Sequence, residues 1–112
     1  MRPDRDRLED ILEAIEQIRE RFPGTVEELA SSRLLQVWVV YHLQVIGEAA
    51  NNLSPGLVAA HPGIPWQSIA DMRHVLVHQY FGVDLATVWR TVTDDLPPLE
   101  QAVRDILAEL PP

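Results

Sequence analysis

Leu8, Ile11, Leu12, Ile15, Ile18 and Phe22 recur at intervals of three and four, with Glu and Arg between them. Wound at 3.6 residues per turn they make one apolar stripe; on a strand they would scatter over both faces. The last third of the chain repeats the pattern with Leu85, Val88, Trp89, Val92, Leu96, Leu99, Val103, Ile106 and Leu110. No segment alternates apolar and polar residues, and there is no internal repeat. The expected fold class is all-α, a bundle of four to five helices. At 112 residues the chain has room for one core, so a single helical domain over 1–112 is expected.

Local signals divide the chain. The first stripe spans about Asp4 to Arg21, and Pro23-Gly24 stops it. Thr25-x-x-Glu28 reads as a capping box. A second helix is expected from about Thr25 to Asn52, with a possible break near Ser31-Ser32. Its stretch from Leu34 to Tyr41 is apolar on almost every side, so it should be buried on more than one face. In a domain this small, that points to a partner subunit. Asn51 to Pro65 holds three Pro and two Gly and reads as a loop. A third helix is expected from Trp66 to about Gln79, with Trp66, Ile69, Met72, Val75 and Leu76 on its buried side. Phe81-Gly82-Val83 then makes a turn, and Asp84 caps the fourth helix. Pro97-Pro98 should kink that helix, because proline lacks the backbone donor and clashes with the preceding turn.

Charge and composition exclude several roles. Seventeen Asp and Glu oppose nine cations, all of them Arg, for a formal charge of -8. A protein that coats nucleic acid through many phosphate contacts needs the opposite balance, although a local basic pocket is compatible with this one. With no Cys, thiol chemistry, disulfides and thiolate metal sites are out. The charged N-terminus lacks the apolar core of a secretory signal, and Leu34 to Gly47 is too short to cross a bilayer. A soluble cytoplasmic protein without membrane association is expected.

The densest polar constellation is Asp71-Met-Arg73-His74-Val-Leu-Val-His78-Gln-Tyr80. On an ideal helix Arg73 and Tyr80 lie about 20° apart, whereas Arg73 and His78 are separated by about 140°. Arg73 and His78 therefore converge only if the helix end unwinds or if they meet across a subunit interface. Three readings fit. His74 and His78, one turn apart, have the spacing of two zinc ligands, although Val75 stands where a His-Glu-x-x-His motif carries Glu. Alternatively, a His of near-neutral pKa moves a proton to or from a ribose 2′-hydroxyl while an Arg holds the phosphate. The plain reading is a polar helix face with a capping His.

Arg73-x4-His78-x-Tyr80, followed by Phe81, Asp84-Leu85 and Val88-Trp89, resembles the signature of the HepT-like toxins of the HEPN superfamily. Val45-Ile46-Gly47-Glu48-Ala49, Pro65-Trp66-x-x-Ile69 and Leu96-Pro97-x-Leu99 extend the resemblance over roughly residues 8–107. The resemblance implies a helical homodimer in which two Arg-x4-His motifs form a composite, metal-independent endoribonuclease site with no cofactor. Arg73 would bind phosphate and stabilise the transition state, and His78 would act as general acid and base, with His74 assisting. It further implies a partner, a minimal nucleotidyltransferase antitoxin that transfers AMP to Tyr80. An added AMP brings bulk and negative charge into a site that must accept RNA. The alternative is a non-catalytic helical dimer that binds such a transferase and is modified by it. A weaker one is a nucleotide- or substrate-binding subunit of the transferase.

Glu48 falls within about 40° of the stripe of Leu34, Trp38, Tyr41 and Val45. A covered carboxylate there needs a partner, either Arg73 or a backbone donor at the dimer interface; otherwise it is a solvated Glu near the helix end. Trp38, Trp66 and Trp89 suit packing anchors better than base stacking. Arg2, Arg5 and Arg7 alternate with Asp4 and Asp6 as a solvated mixed face. Asp94, Asp95 and Glu100 read as surface charges, and Asn51-Asn52 as the end of the second helix.

Overall fold

α1 occupies Asp4–Arg21, the span its apolar spacing predicts. The structure is a computed structural model that describes residues 3–75 and 84–111, without the side chains of His74 and Val75. Asp4 and Asp6 in the first turn of α1, and Arg19 and Arg21 in the last, complement its dipole. Leu8, Ile11, Ile15 and Ile18 are fully buried. The Thr25 hydroxyl accepts the Glu28 N–H at 3.2 Å and opens α2 (Val26–Ala30). The anticipated break is present, for Ser32 caps α3 (Arg33–Asn51) by accepting the Leu35 N–H at 3.2 Å. Gln36 then donates its side-chain amide to the carbonyls of Leu29 and Ala30 at 3.0 and 3.1 Å, satisfying the end of α2.

Two expected boundaries need correction. The segment read as a loop contains α4 (Pro55–Ala60), started by Ser54, whose hydroxyl accepts the Leu57 N–H at 3.3 Å. Pro55 fits its first turn, where no backbone donor is needed. The third helix is not continuous either: α5 (Trp66–Ala70) ends at Asp71 and α6 (Met72–Val75) follows. Trp66 and Ile69 are buried, as expected. Its continuation toward Gln79 and the Phe81-Gly82-Val83 turn lie outside the described residues.

Asp84 caps α7 (Leu85–Arg90) by accepting the Thr87 N–H at 3.1 Å. The kink expected at Pro97-Pro98 takes the form of a π-helical turn over Thr91–Asp95, just before them. There the Leu96 N–H reaches back five residues to the Thr91 carbonyl. This widened turn lets the rod continue into α8 (Leu96–Glu109) with both prolines in its first turn. The all-α bundle is as expected, its described residues divided into eight α-helical segments, several of only one turn.

α1 lies between α3 and α8, and α3 also packs on α5 and α6. Among the described residues there is no strand, and no helix is long and apolar enough to cross a membrane. Two of the Trp anchors also satisfy their indole N–H groups, Trp38 on the Gln17 carbonyl at 3.1 Å and Trp66 on that of His61 at 3.0 Å. Trp89 rests on Phe22, ring centroids 4.9 Å apart. Glu100 proves to be more than a surface charge. Arg19 grips both its oxygens, at 2.8 and 3.1 Å, and Arg104 adds a third contact at 3.1 Å. These hydrogen bonds, that from Arg19 foremost, hold its carboxyl below the usual range.

Candidate functional site

The long axis of the site is α3, and its key feature is the absence of a side chain. Gly47 is buried within that helix, against the junction of α5 and α6. A Cβ built there would lie 2.6 Å from the Arg73 backbone nitrogen, 3.1 Å from the Ala70 carbonyl oxygen and 3.2 Å from the Arg73 Cβ. Backbone atoms cannot yield to such contacts as a flexible side chain can. Two backbones therefore touch at Arg73 because residue 47 has no Cβ. A lone Gly in a helical pattern, as in Ile46-Gly47-Glu48, was the available signal. Its role beside Arg73 is not legible from spacing alone.

Arg73 is half-buried in the first turn of α6, and its Nη1 donates to the Ala70 carbonyl at 3.2 Å. The break at Asp71 places it there. The Asp71 N–H still bonds the Gln67 carbonyl at 2.9 Å, and the Gln67 side chain donates to the Asp71 carboxylate at 2.9 Å. Of the other expected site residues, His74 has its backbone in α6, but its side chain lies outside what is described. His78 and Tyr80 fall in residues 76–83, outside the described residues.

Glu48 is exposed, one residue from Gly47. The Asn52 side-chain amide donates to its carbonyl at 2.8 Å and to its carboxylate at 3.0 Å. Within the chain the carboxylate thus engages the end of its own helix and not Arg73. Seven residues after Tyr41, it shares a helix face with Leu34, Val37 and Tyr41, about 20° from Tyr41. Those three side chains are 79, 55 and 58 % exposed. In the single chain the apolar run of α3 is therefore open to solvent on one side.

A cleft of about 650 Å³ opens on another side of α6, between α5 and the π turn. Leu43, Ile69, Met72 and Val88 form its apolar floor, and Asp94 and Asp95 stand beside Arg90 among its lining. Met72 lines it and Arg73 does not. A mainly apolar floor with two carboxylates repels a phosphate, so this cleft is not where an Arg73-bound anion would sit. His42, on α3, is buried edge-on against Trp38 and Tyr41, at centroid distances of 4.5 and 5.0 Å. Burial lowers its pKa against the opposing pull of the Glu13 carboxylate. Among the described residues no group of three or more His, Asp or Glu gathers as metal ligands do.

The family described as "Ribonuclease HepT-like" matches residues 11–106, which takes in Gly47, Arg73, His78 and Tyr80. The chain belongs to the HepT-like family. It is 43% identical over 101 residues to a Thermococcus cleftensis protein named "Probable ribonuclease HepT", covering 88% of this chain and 91% of that one. A Caldanaerobacter subterraneus protein named "Putative RNase" is 38% identical, with 96% of each chain covered. A third relative, from Methanocaldococcus jannaschii, is named "Gamma-glutamylcyclotransferase and putative RNase"; it is 38% identical over 92% of this chain but only 47% of its own length. No solved structure matches.

Proposed function

We propose that this chain is a metal-independent endoribonuclease that works as a homodimer. We further propose that it is the toxin of a two-gene module, silenced when a nucleotidyltransferase antitoxin adenylylates Tyr80. Membership of the HepT-like ribonuclease family across residues 11–106 is the observation that carries this reading. The seating of Arg73 on α3 supports it, since a phosphate-binding Arg needs a fixed backbone. The M. jannaschii relative, only half of which matches, supports reading residues 1–112 as one self-contained domain.

In the proposed reaction, Arg73 holds the scissile phosphate in a bidentate grip and stabilises the charge that builds on its oxygens. His78 takes the proton of the ribose 2′-hydroxyl as that oxygen attacks phosphorus. The bond to the 5′-oxygen breaks, that oxygen leaves with a proton supplied by an imidazolium, and a 2′,3′-cyclic phosphate remains. Pairing two copies brings one Arg73 toward the other copy's His78, which removes the 140° separation within a single helix. The exposed stripe of Leu34, Val37 and Tyr41 supports such pairing, with Glu48 at its end available to the second copy's Arg73. His74 assists at the same phosphate.

One observation favours a different reading. At -8 per chain, two copies carry -16, which opposes long-range capture of RNA. A non-catalytic dimer that serves as binding partner or substrate of a nucleotidyltransferase would suffer no such penalty. Incubating bulk RNA in EDTA with protein whose mass excludes AMP on Tyr80 separates the two. Wild type should cleave it, and His78→Ala and Arg73→Ala should each lose at least about 100-fold in rate. Equal cleavage by wild type and both variants would remove the site. No cleavage by unmodified wild type would leave the binding-partner reading in possession.

A further inference from the structure

Gly47 faces the backbone of the residue that the proposed reaction places on the phosphate. Both atoms nearest a Cβ at position 47, the Arg73 nitrogen at 2.6 Å and the Ala70 oxygen at 3.1 Å, are main-chain atoms. The same Ala70 oxygen accepts the Arg73 guanidinium at 3.2 Å. Position 47 thus meets Arg73 at its backbone and, through Ala70, at the acceptor that orients its guanidinium. By contrast, a Cβ at Gly24, Gly56 or Gly63 would meet nothing within 4 Å.

From this geometry we infer that Gly47 is a positioning residue for Arg73. The inference rests on the reading of Arg73 as the phosphate-binding group. The absence of a side chain lets α6 approach α3 closely enough to set where the guanidinium projects. Adding one methyl group drives the α5–α6 junction away by roughly 1 Å, a displacement that costs about 100-fold when it moves a positioned catalytic group. The packing of α1 and α8 is not directly strained, because neither helix packs substantially on α5 or α6.

Gly47→Ala tests it, assayed at low temperature in sucrose to favour the folded state. Val103→Ala is the control, a core truncation on α8 remote from Arg73. The expected result is a 10- to 100-fold lower kcat for Gly47→Ala, with Val103→Ala at the wild-type rate despite a comparable loss in Tm. A second readout is binding of a 2′-O-methyl RNA, which has no free 2′-hydroxyl to attack. Gly47→Ala should weaken that binding in the wild-type background and leave it unchanged, within about twofold, in Arg73→Ala.

An equal weakening in both backgrounds would mean that Gly47 acts on the fold and not through Arg73, and the inference would fall. It would also fall if Gly47→Ala cleaved like wild type while Arg73→Ala were inactive, with the reading of Arg73 left standing. Cleavage at the wild-type rate by Arg73→Ala itself would remove both. Gly47→Ala that stays unfolded in sucrose would overturn it too, because the contact would then hold the bundle together as a whole.

Discussion

At the scale of single residues, Gly47 acts by what it lacks, since without a Cβ it lets the Arg73 backbone seat directly on α3. Arg73 announces itself through its spacing to His78 and Tyr80, whereas Gly47 carries no functional group and its role depends on a backbone 26 positions away. Glu48 is the exposed carboxylate near the helix end that was one of its two expected states, and Asn52 four residues on supplies a local partner that burial arguments do not foresee. His42 has no other His at a helical spacing and so no chemical signature in the sequence. Its burial has a consequence for stability. Neutral in the fold, it must take up a proton on unfolding below its free pKa of about 6.5, so stability falls as pH drops from there. Urea midpoints should decline between pH 6.5 and 5, with a slope of at most about 1.4 kcal/mol per pH unit from this group. His42→Leu should flatten that part of the profile; an unchanged slope would assign it to other groups.

Among the elements, boundaries were legible wherever a capping side chain stood next to a regular apolar pattern. Thr25, Ser32 and Asp84 all accept the amide three residues ahead. Ser54 does so too, but α4 is only six residues long and its Pro and Gly content masks the cap. Asp71 is the opposite case, a helix break with no proline or glycine to mark it. The π turn follows from a rule that could be applied in part: two prolines demand a kink, but not the point at which the helix absorbs it. Ser32→Ala should test whether the α2–α3 junction relies on its cap. We expect a loss of about 1 kcal/mol in chemical denaturation, with α3 fraying at its start in amide exchange. No measurable loss would mean that the Gln36 side chain suffices to hold the junction.

For the molecule as a whole, the all-helical architecture was readable from periodicity, but the arrangement of the site proposed to be shared between copies was not. On an ideal helix Arg73 and His78 would diverge within one chain, and no spacing tells which surface would close the gap. The exposed side of α3 is the surface that the proposed homodimer would use. In a two-fold interface each substitution enters twice, so Val37→Glu sets two new carboxylates in the contact. Sedimentation equilibrium should find wild type dimeric and Val37→Glu monomeric, with RNA cleavage lost alongside. A dimer that survives Val37→Glu would move the interface off α3.

Arg5 near the start of α1 holds the far end of α8, donating through Nη2 to the carbonyls of Leu107, Leu110 and Pro111 at 3.5, 3.2 and 3.1 Å. The order in which the helices are strung is therefore separable from the way they pack. A chain rewired to run from α8 directly into α1, and opened instead at the exposed Gly24, would retain every helix and leave the seat of Arg73 untouched. The connectivity of this bundle is one solution among several that the same contacts allow.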